Sequence, residues 1–178
     1  EVTLSETTGA NTIIVTPGYV KVTVGNWEGY YLAGTALDVD AQAGSTSFKY
    51  TIGTGDDAVE KYAAYSDGIP AADVTDDIVI EKGYVRVTVN KDADEGNVID
   101  TITDAVNFVK ATDTSVDVKV TTTAHISNGT YDLSVTSGGA TGVTPNKWTT
   151  NTDGNYTIDV KISFNASSTD LTFTLKMM

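Results

Sequence analysis

The sequence predicts an all-β fold, a two-sheet sandwich or jelly-roll-like domain of about ten strands with one or two short helices. Thr (30) and Val (21) supply 51 of the 178 residues, and their branched Cβ atoms suit a strand better than a helix. Apolar and polar residues alternate in many short stretches. Only 3 Pro and 16 Gly punctuate these stretches, which is typical of an ordered chain.

Strict alternation locates the strands. The C-terminal pattern is the most regular, because apolar residues occupy every second position from Tyr156 to Phe164 and again from Leu171 to Met177. We expect the polar loop at 165–169 to join these two strands into a hairpin. The other predicted strands lie at 12–16, 20–24, 36–40, 47–52, 78–81, 116–120 and 131–135.

Two segments have helical features. Asp57 and Glu60 have the spacing of a capping box, which predicts a helix over residues 58–65. In residues 97–110 the apolar side chains recur at helical spacing, which predicts a second helix. Because Thr101 and Thr103 are poor helix formers, an irregular strand is the alternative interpretation of this segment.

One segment of the chain is repeated. Residues 13–24 recur as residues 78–89, with identical residues at seven of twelve positions and a shared Gly-Tyr pair. One interpretation is a duplicated β-arch in which Gly18 and Gly83 make the same bend. The other is a pair of equivalent strands in facing sheets, related by a pseudo-twofold axis. A solenoid is not expected, because the repeat covers only part of the chain.

Composition excludes several classes of function. The chain has no Cys and one His, which removes disulfides, thiolate metal sites and Cys nucleophiles. Its formal net charge of −13 would repel a phosphate backbone, so we expect no nucleic-acid partner. No apolar run approaches ~18 residues, so we expect no membrane span.

We expect no enzymatic activity and no catalytic residues. His125 would have to be the base of a Ser/His/Asp triad, and no Gly-x-Ser-x-Gly sequence presents a nucleophile. The adjacent carboxylates Asp56-Asp57 and Asp76-Asp77 would point to opposite faces of a strand, which does not suit glycoside hydrolysis.

The chain has one weak candidate metal site and otherwise predicts no cofactor. Loop 90–96 carries oxygen ligands at alternate positions, as Ca²⁺ requires, with Asp92, Asp94 and Glu95 as candidate ligands. Its Gly lies one position late, and no closing Glu follows, so a solvated acidic turn is the alternative. Residues 73–77, with three Asp, are a weaker candidate.

Aromatic residues are concentrated at Trp27, Tyr30 and Tyr31. Together with Tyr19 and Trp148, they have the ring faces on which a carbohydrate-binding module stacks sugars. Packing in the core or in loops is the alternative interpretation.

Features of the sequence suggest export to the cell surface. The chain begins Glu1-Val2 without Met, which suggests either a mature protein after signal-peptide removal or a chain that has been trimmed at its N-terminus. Acceptor sequons for N-glycosylation begin at Asn128, Asn155 and Asn165. We therefore expect an extracellular protein, with these three asparagines as candidate glycosylation sites.

The N-terminal segment predicts a donated strand. Residues 1–8 alternate weakly, and the small residues 9–11 then separate them from the strand at 12–16. We therefore divide the chain into a donor strand and hinge at 1–11 and a single β-sandwich domain at 12–178. A strand that leaves its own domain can complete a neighbour's sheet and build a filament. An edge strand that folds back on its own sheet is the alternative.

With these features the chain resembles subunits of archaeal extracellular filaments, namely bundling pili and thread-like fibres, which are similar in design to TasA-type biofilm fibres. The resemblance rests on residues 1–16, the β pattern and the sequons. It implies a homopolymer joined by donor-strand complementation that supports adhesion and biofilm formation. It also implies that Val2, Leu4, Ile13 and Val15 seat the donated segment. The alternatives are a carbohydrate-binding or adhesive surface domain, or a surface-layer or viral structural protein.

Overall fold

The computed structural model describes residues 2–7, 10–15, 18–124, 129–150 and 156–178. Within these ranges the chain forms fifteen strands, and its only helical segments are the single 3-10 turns Gly55–Asp57 and Ala71–Asp73. The prediction of an all-β, two-sheet sandwich is confirmed. The chain divides into two compact units, Glu1–Ala41 with Ser47–Lys82 and Gln42–Thr46 with Gly83–Met178.

The first unit contains one main sheet and a separate two-stranded sheet. Its strands are β1 (Val2–Thr7), β2 (Ala10–Val15), β3 (Tyr19–Val24), β4 (Trp27–Leu32), β5 (Ser47–Ile52), β6 (Val59–Ala64) and the first part of β7 (Ile78–Lys91). β3 pairs antiparallel with β4 and parallel with β7, while β5 pairs with β6 and β7. β1 and β2 form a separate two-stranded sheet.

Irregular segments cover the inner face of this sheet. Leu37 and Val39 come from the segment after β4, and Ile69 and Val74 come from the segment before β7. These four side chains are buried against the strand residues Val20, Val22, Phe48, Tyr50, Ile78 and Ile80. The predicted strand at 36–40 is wrong, because this segment makes a single bridge, from Leu37 to Ile69, rather than a ladder.

The second unit is the sandwich. Its further strands are β8 (Thr101–Thr103), β9 (Val106–Lys110), β10 (Ser115–Thr122), β11 (Gly129–Ser137), β12 (Gly142–Thr144), β13 (Lys147–Thr150), β14 (Tyr156–Ser163) and β15 (Leu171–Met177). One sheet has the order β12-β14-β10-β8. The other joins β13, β11, β15 and β7, and β9 pairs with β7.

The core of the second unit follows directly from strand alternation. Val116, Val118 and Val120 of β10 are buried, whereas the intervening Asp117 and Lys119 are exposed. Opposite them, Phe173 and Leu175 of β15 are fully buried. Because each sheet turns its apolar face toward the other, the sandwich encloses one continuous core.

Both predicted helices are wrong. Residues 59–64 form β6, which pairs antiparallel with β5 from Ile52–Val59 to Ser47–Ala64. Residues 97–110 contain β8 and β9 instead, in agreement with the alternative of an irregular strand. Val106, placed on the apolar face of the second helix, is 56% exposed. In both segments the available strand partners override the local preference.

The predicted C-terminal hairpin is also wrong, although both of its strands exist. β14 pairs with β10 and β12, whereas β15 pairs with β11 and β7 in the other sheet. The loop at 165–169 therefore crosses between the sheets. The two apolar faces that alternation identified pack against each other across the core, as shown by Phe164 and Phe173 with ring centroids 5.5 Å apart.

The repeated segments do not lie in facing sheets. β3, from the first copy, and β7, from the second, pair in parallel in one sheet, with Val22 opposite Ile78. The two glycines also differ, because Gly83 has a φ of 98° whereas Gly18 is not among the positive-φ residues. The prediction of a shared bend at these glycines is therefore wrong.

Candidate functional site

The β3–β4 hairpin presents the aromatic cluster that the sequence indicated. Val24 lies opposite Trp27, and Val20 lies opposite Tyr31, so both aromatic residues share the inner face of the sheet with the valines. Trp27 is nevertheless 51% exposed and Tyr31 39% exposed. Two large rings on an inner face that remain this exposed show that the cover of the sheet ends near them.

The Trp27 ring lies along its own strand. Its centroid is 6.3 Å from that of Tyr31, with 56° between the ring planes. The ring crosses Gly29, where an added Cβ would lie 2.9 Å from Trp27 Cζ2. Because no other residue type leaves this space free, Gly29 allows the indole to lie flat against the strand.

A cavity of about 390 Å³ lies beside these rings, and we refer to it as the β3–β4 cavity. Strands β3 and β4 supply two valines and the two rings, the segment at 37–40 supplies four consecutive residues, and β7 supplies two. The complete lining is Val22, Val24, Trp27, Tyr31, Leu37, Asp38, Val39, Asp40, Ile80 and Lys82.

Three charged residues line this cavity and form no ion pairs with one another. Asp38 and Asp40 are exposed, and Lys82 is half-buried. Within the described part of the chain, none of these side chains makes a hydrogen bond or an ion pair, whereas Lys49 and Lys61 in the same unit both contact carboxylates. The β3–β4 cavity thus combines aromatic faces with unengaged hydrogen-bond donors and acceptors.

The candidate calcium ligands lie in a loop in which two of the three carboxylates, those of Asp92 and Asp94, already have protein partners. Asp92 accepts hydrogen bonds from the Asp94 amide at 2.9 Å and the Thr136 hydroxyl at 2.6 Å. Asp94 accepts from the Gly96 amide at 2.8 Å and from Lys176 Nζ at 2.6 Å. Glu95 is exposed. These contacts make the loop a cross-linked turn, and its binding of Ca²⁺ stays a prediction.

These contacts also shift the titration of the loop. The Thr136 hydroxyl, followed by the Asp94 amide, lowers the pKa of Asp92 below its ordinary value. The Lys176 ammonium, followed by the Gly96 amide, lowers the pKa of Asp94. Both carboxylates therefore stay ionised at neutral pH and hold the loop to β15 and β11.

The weaker carboxylate cluster is also structural. Asp73 accepts hydrogen bonds from Lys61 Nζ at 2.6 Å and the Tyr50 hydroxyl at 2.7 Å. Burial, followed by the bond to Asp73, raises the pKa of Tyr50, while Lys61 and then Tyr50 lower that of Asp73. Asp76 and Asp77 accept bonds from backbone amides. Across the residues described, no three His, Asp or Glu are grouped as a metal site.

Other predicted site residues fall partly outside the description. Val2 and Leu4 lie in β1 and Ile13 and Val15 in β2, in a register that pairs Val2 with Val15 and Leu4 with Ile13. Their side chains, like those of Trp148 and His125, lie outside the described residues, as do the sequons' Asn128 and Asn155. Asn165 is exposed in the loop between β14 and β15.

The hinge expected at residues 9–11 coincides in part with a strand. Ala10 and Asn11 begin β2 and pair with Thr7 and Glu6 of β1. The predicted donor is therefore one arm of a hairpin. The division at 1–11 and 12–178 stays a prediction.

Sequence reasoning missed Asp38, Asp40 and Lys82 as site residues. Alternation of Leu37 and Val39 with Asp38 and Asp40 was visible, but it predicted a strand rather than the wall of a cavity. Lys82 lies two residues after the apolar stretch 78–80 of β7, and nothing in the sequence predicted it as a site residue. Only their arrangement around Trp27 and Tyr31 identifies them.

In the portion of the chain that the structure covers, no helix has the length and apolarity to cross a bilayer. Comparison with models of known families, with curated proteins and with solved structures found no match.

Proposed function

We propose that this protein is a non-enzymatic structural subunit of an extracellular filament, in which each subunit donates a strand to the next. The pairing of the N-terminal hairpin is the observation that supports this best. β1 and β2 hydrogen-bond to each other, and among the described strands neither pairs with a third. A hairpin with unpaired outer edges is suited to extend a neighbour's sheet through main-chain hydrogen bonds.

An available sheet edge supports the same proposal. Of the strands described, β4 pairs with β3 alone, so its outer edge offers free backbone donors and acceptors. A hairpin on one subunit that meets an edge on another makes a heterologous contact, which repeats head to tail instead of closing. The product is a homopolymer at the cell surface that supports adhesion and biofilm formation.

Removal of the hairpin tests the proposal. Deletion of residues 1–15 removes both β1 and β2, and we expect the remaining chain to keep its β-type circular dichroism spectrum but to stay monomeric. Negative-stain electron microscopy and light scattering, on the full and the shortened chain side by side, measure assembly. If the shortened chain still forms fibres, strand donation by this hairpin is wrong.

A matched pair of variants separates the pairing from the mere presence of the segment. Val2→Asp with Leu4→Asp changes the apolar set of β1, whereas Thr3→Asp with Ser5→Asp adds the same charge at the alternate positions. We expect the first pair to abolish fibres and the second to retain them. Equal loss in both would show that charge, not the apolar set, controls assembly.

A carbohydrate-binding or adhesive surface domain is the second candidate, with a surface-layer or viral subunit as a third. The exposed Trp27, Tyr30 and Tyr31 of β4 favour the second candidate. A chain that binds glycans as a monomer and never assembles would establish it in place of the filament subunit.

A further inference from the structure

We infer that the β3–β4 cavity is a binding site for a neutral hexopyranose, either free or as one residue of a glycan. This site does not require filament assembly, because every residue that lines it belongs to the first unit. Its volume of about 390 Å³ lies at the lower end of the range of small-molecule pockets, roughly 300–1,000 Å³. That size suits one sugar ring better than a long oligosaccharide.

The aromatic side of the cavity fits the apolar face of a pyranose. Gly29 lets the Trp27 indole lie along the strand, and the half-exposed ring offers a flat, preset surface. Tyr31, tilted by 56° at 6.3 Å, adds a second ring with a polar hydroxyl. A ring that is already held in place loses little conformational entropy on binding.

The polar groups of the cavity suit a hydroxylated ligand. The carboxylates of Asp38 and Asp40 accept hydrogen bonds, and the Lys82 ammonium donates them. The two carboxylates outweigh Lys82 and disfavour an anion, while Lys82 offsets part of their attraction for a cation. Sugar hydroxyls both donate and accept, so a neutral pyranose can pair with a carboxylate and with an ammonium alike.

The experiment titrates the full-length chain with a panel of methyl hexopyranosides, and follows saturation-transfer NMR and tryptophan fluorescence. We expect at least one pyranoside to bind saturably, and Trp27→Ala to weaken its binding roughly tenfold or more. Tyr30→Ala is the matched control, since Tyr30 is 70% exposed on the opposite face of β4 and should bind as the wild type does.

Gly29→Ala provides a second test, which keeps the identity of every residue that lines the cavity. The added methyl displaces the Trp27 ring, so we expect weakened binding, while Gly18→Ala, which meets only Ala33 at 4.0 Å, should leave binding unchanged. Circular dichroism confirms that each variant is folded. Asp38→Asn with Asp40→Asn should weaken binding as well, because each amide replaces one acceptor oxygen with a donor.

Three outcomes would overturn the inference: no saturable pyranoside, equal binding by the wild type and the Trp27→Ala variant, or saturable binding of tetramethylammonium in place of the sugars. Fibre formation is scored on the same samples. A chain that binds sugar without forming fibres contradicts the filament proposal alone, and fibres without sugar binding contradict this inference alone.

Discussion

The two units cover their sheets in different ways. In the second unit one sheet covers the other, and Val87, Val120, Val160 and Phe173 have no solvent exposure at all. In the first unit irregular segments cover the sheet, and the cover ends where Val24 is half-buried and Trp27 is half-exposed. In the first unit, the open end of the loop cover lies beside the β3–β4 cavity, where aromatic and charged residues meet.

The largest effect should come from the closed core. Phe173→Ala removes a fully buried ring that packs on Phe164, and we expect it to lower the free energy of unfolding by about 3–5 kcal/mol. Trp27→Ala, at the open end, should cost less than about 1 kcal/mol despite the larger side chain. Urea denaturation measures both. Similar losses of unfolding free energy in the two variants would mean that the core is equally well covered at both positions.

A second prediction sharpens the comparison within the first unit. Val22 is 3% exposed, and its neighbour along the same face, Val24, is half-buried at the open end. We expect Val22→Ala to lower the free energy of unfolding by about 2 kcal/mol and Val24→Ala by about 1 kcal/mol. Both changes delete the same atoms, so the ratio of the two losses in unfolding free energy, measured by urea denaturation, reports only how well each position is covered. Equal losses would mean that the sheet is covered equally well at both positions.

The smallest predicted effect is on thermal stability at acidic pH. Asp73 in the first unit and Asp94 in the second have pKa values below the ordinary 3.8, mainly because of Lys61 and Lys176 respectively. A lowered folded-state pKa adds stability that is present above pH about 4 and is lost as the pH falls through the folded-state value. Asp73→Asn and Asp94→Asn should each flatten the fall of the melting temperature below pH 4.

The two units should also differ in how much their carboxylate–lysine pairs contribute to stability at acidic pH. The side chain of Asp73 is 13% exposed and that of Asp94 is 46% exposed, so solvent screens the second pair more. We therefore expect the larger flattening from Asp73→Asn. Lys61→Met and Lys176→Met, which remove the partner instead, are the controls, and an unchanged acid slope in either would contradict the assigned cause.

The sequence predicted the fold class and most core positions because strand alternation is a local property. Val116, Val118 and Val120 are buried as their spacing implied. Pairing is not local. The same alternation that identified β14 and β15 could not tell a hairpin from two strands in facing sheets, since both arrangements bury the same residues.

The candidate site was predicted only in part, for a related reason. Trp27 and Tyr31 of β4 were noticeable by residue type, and both lie where a ligand could reach them. Asp38 and Lys82 are common residue types, and their meeting depends on β7 pairing with β3 in parallel across 56 residues of chain, from Val22 to Ile78. A short stretch of sequence does not show which strands pair, so it could not predict that these residues meet.

The position of β15 has a consequence for how the second unit is made during translation. β15 follows every other described strand along the chain, yet it lies between β11 and β7, antiparallel to one and parallel to the other. Until residues 171–177 have been synthesised, the edges of β11 and β7 that pair with β15 have no strand partner there. The nascent chain must therefore hold an incomplete sheet until β15, the last of the described strands, has been made.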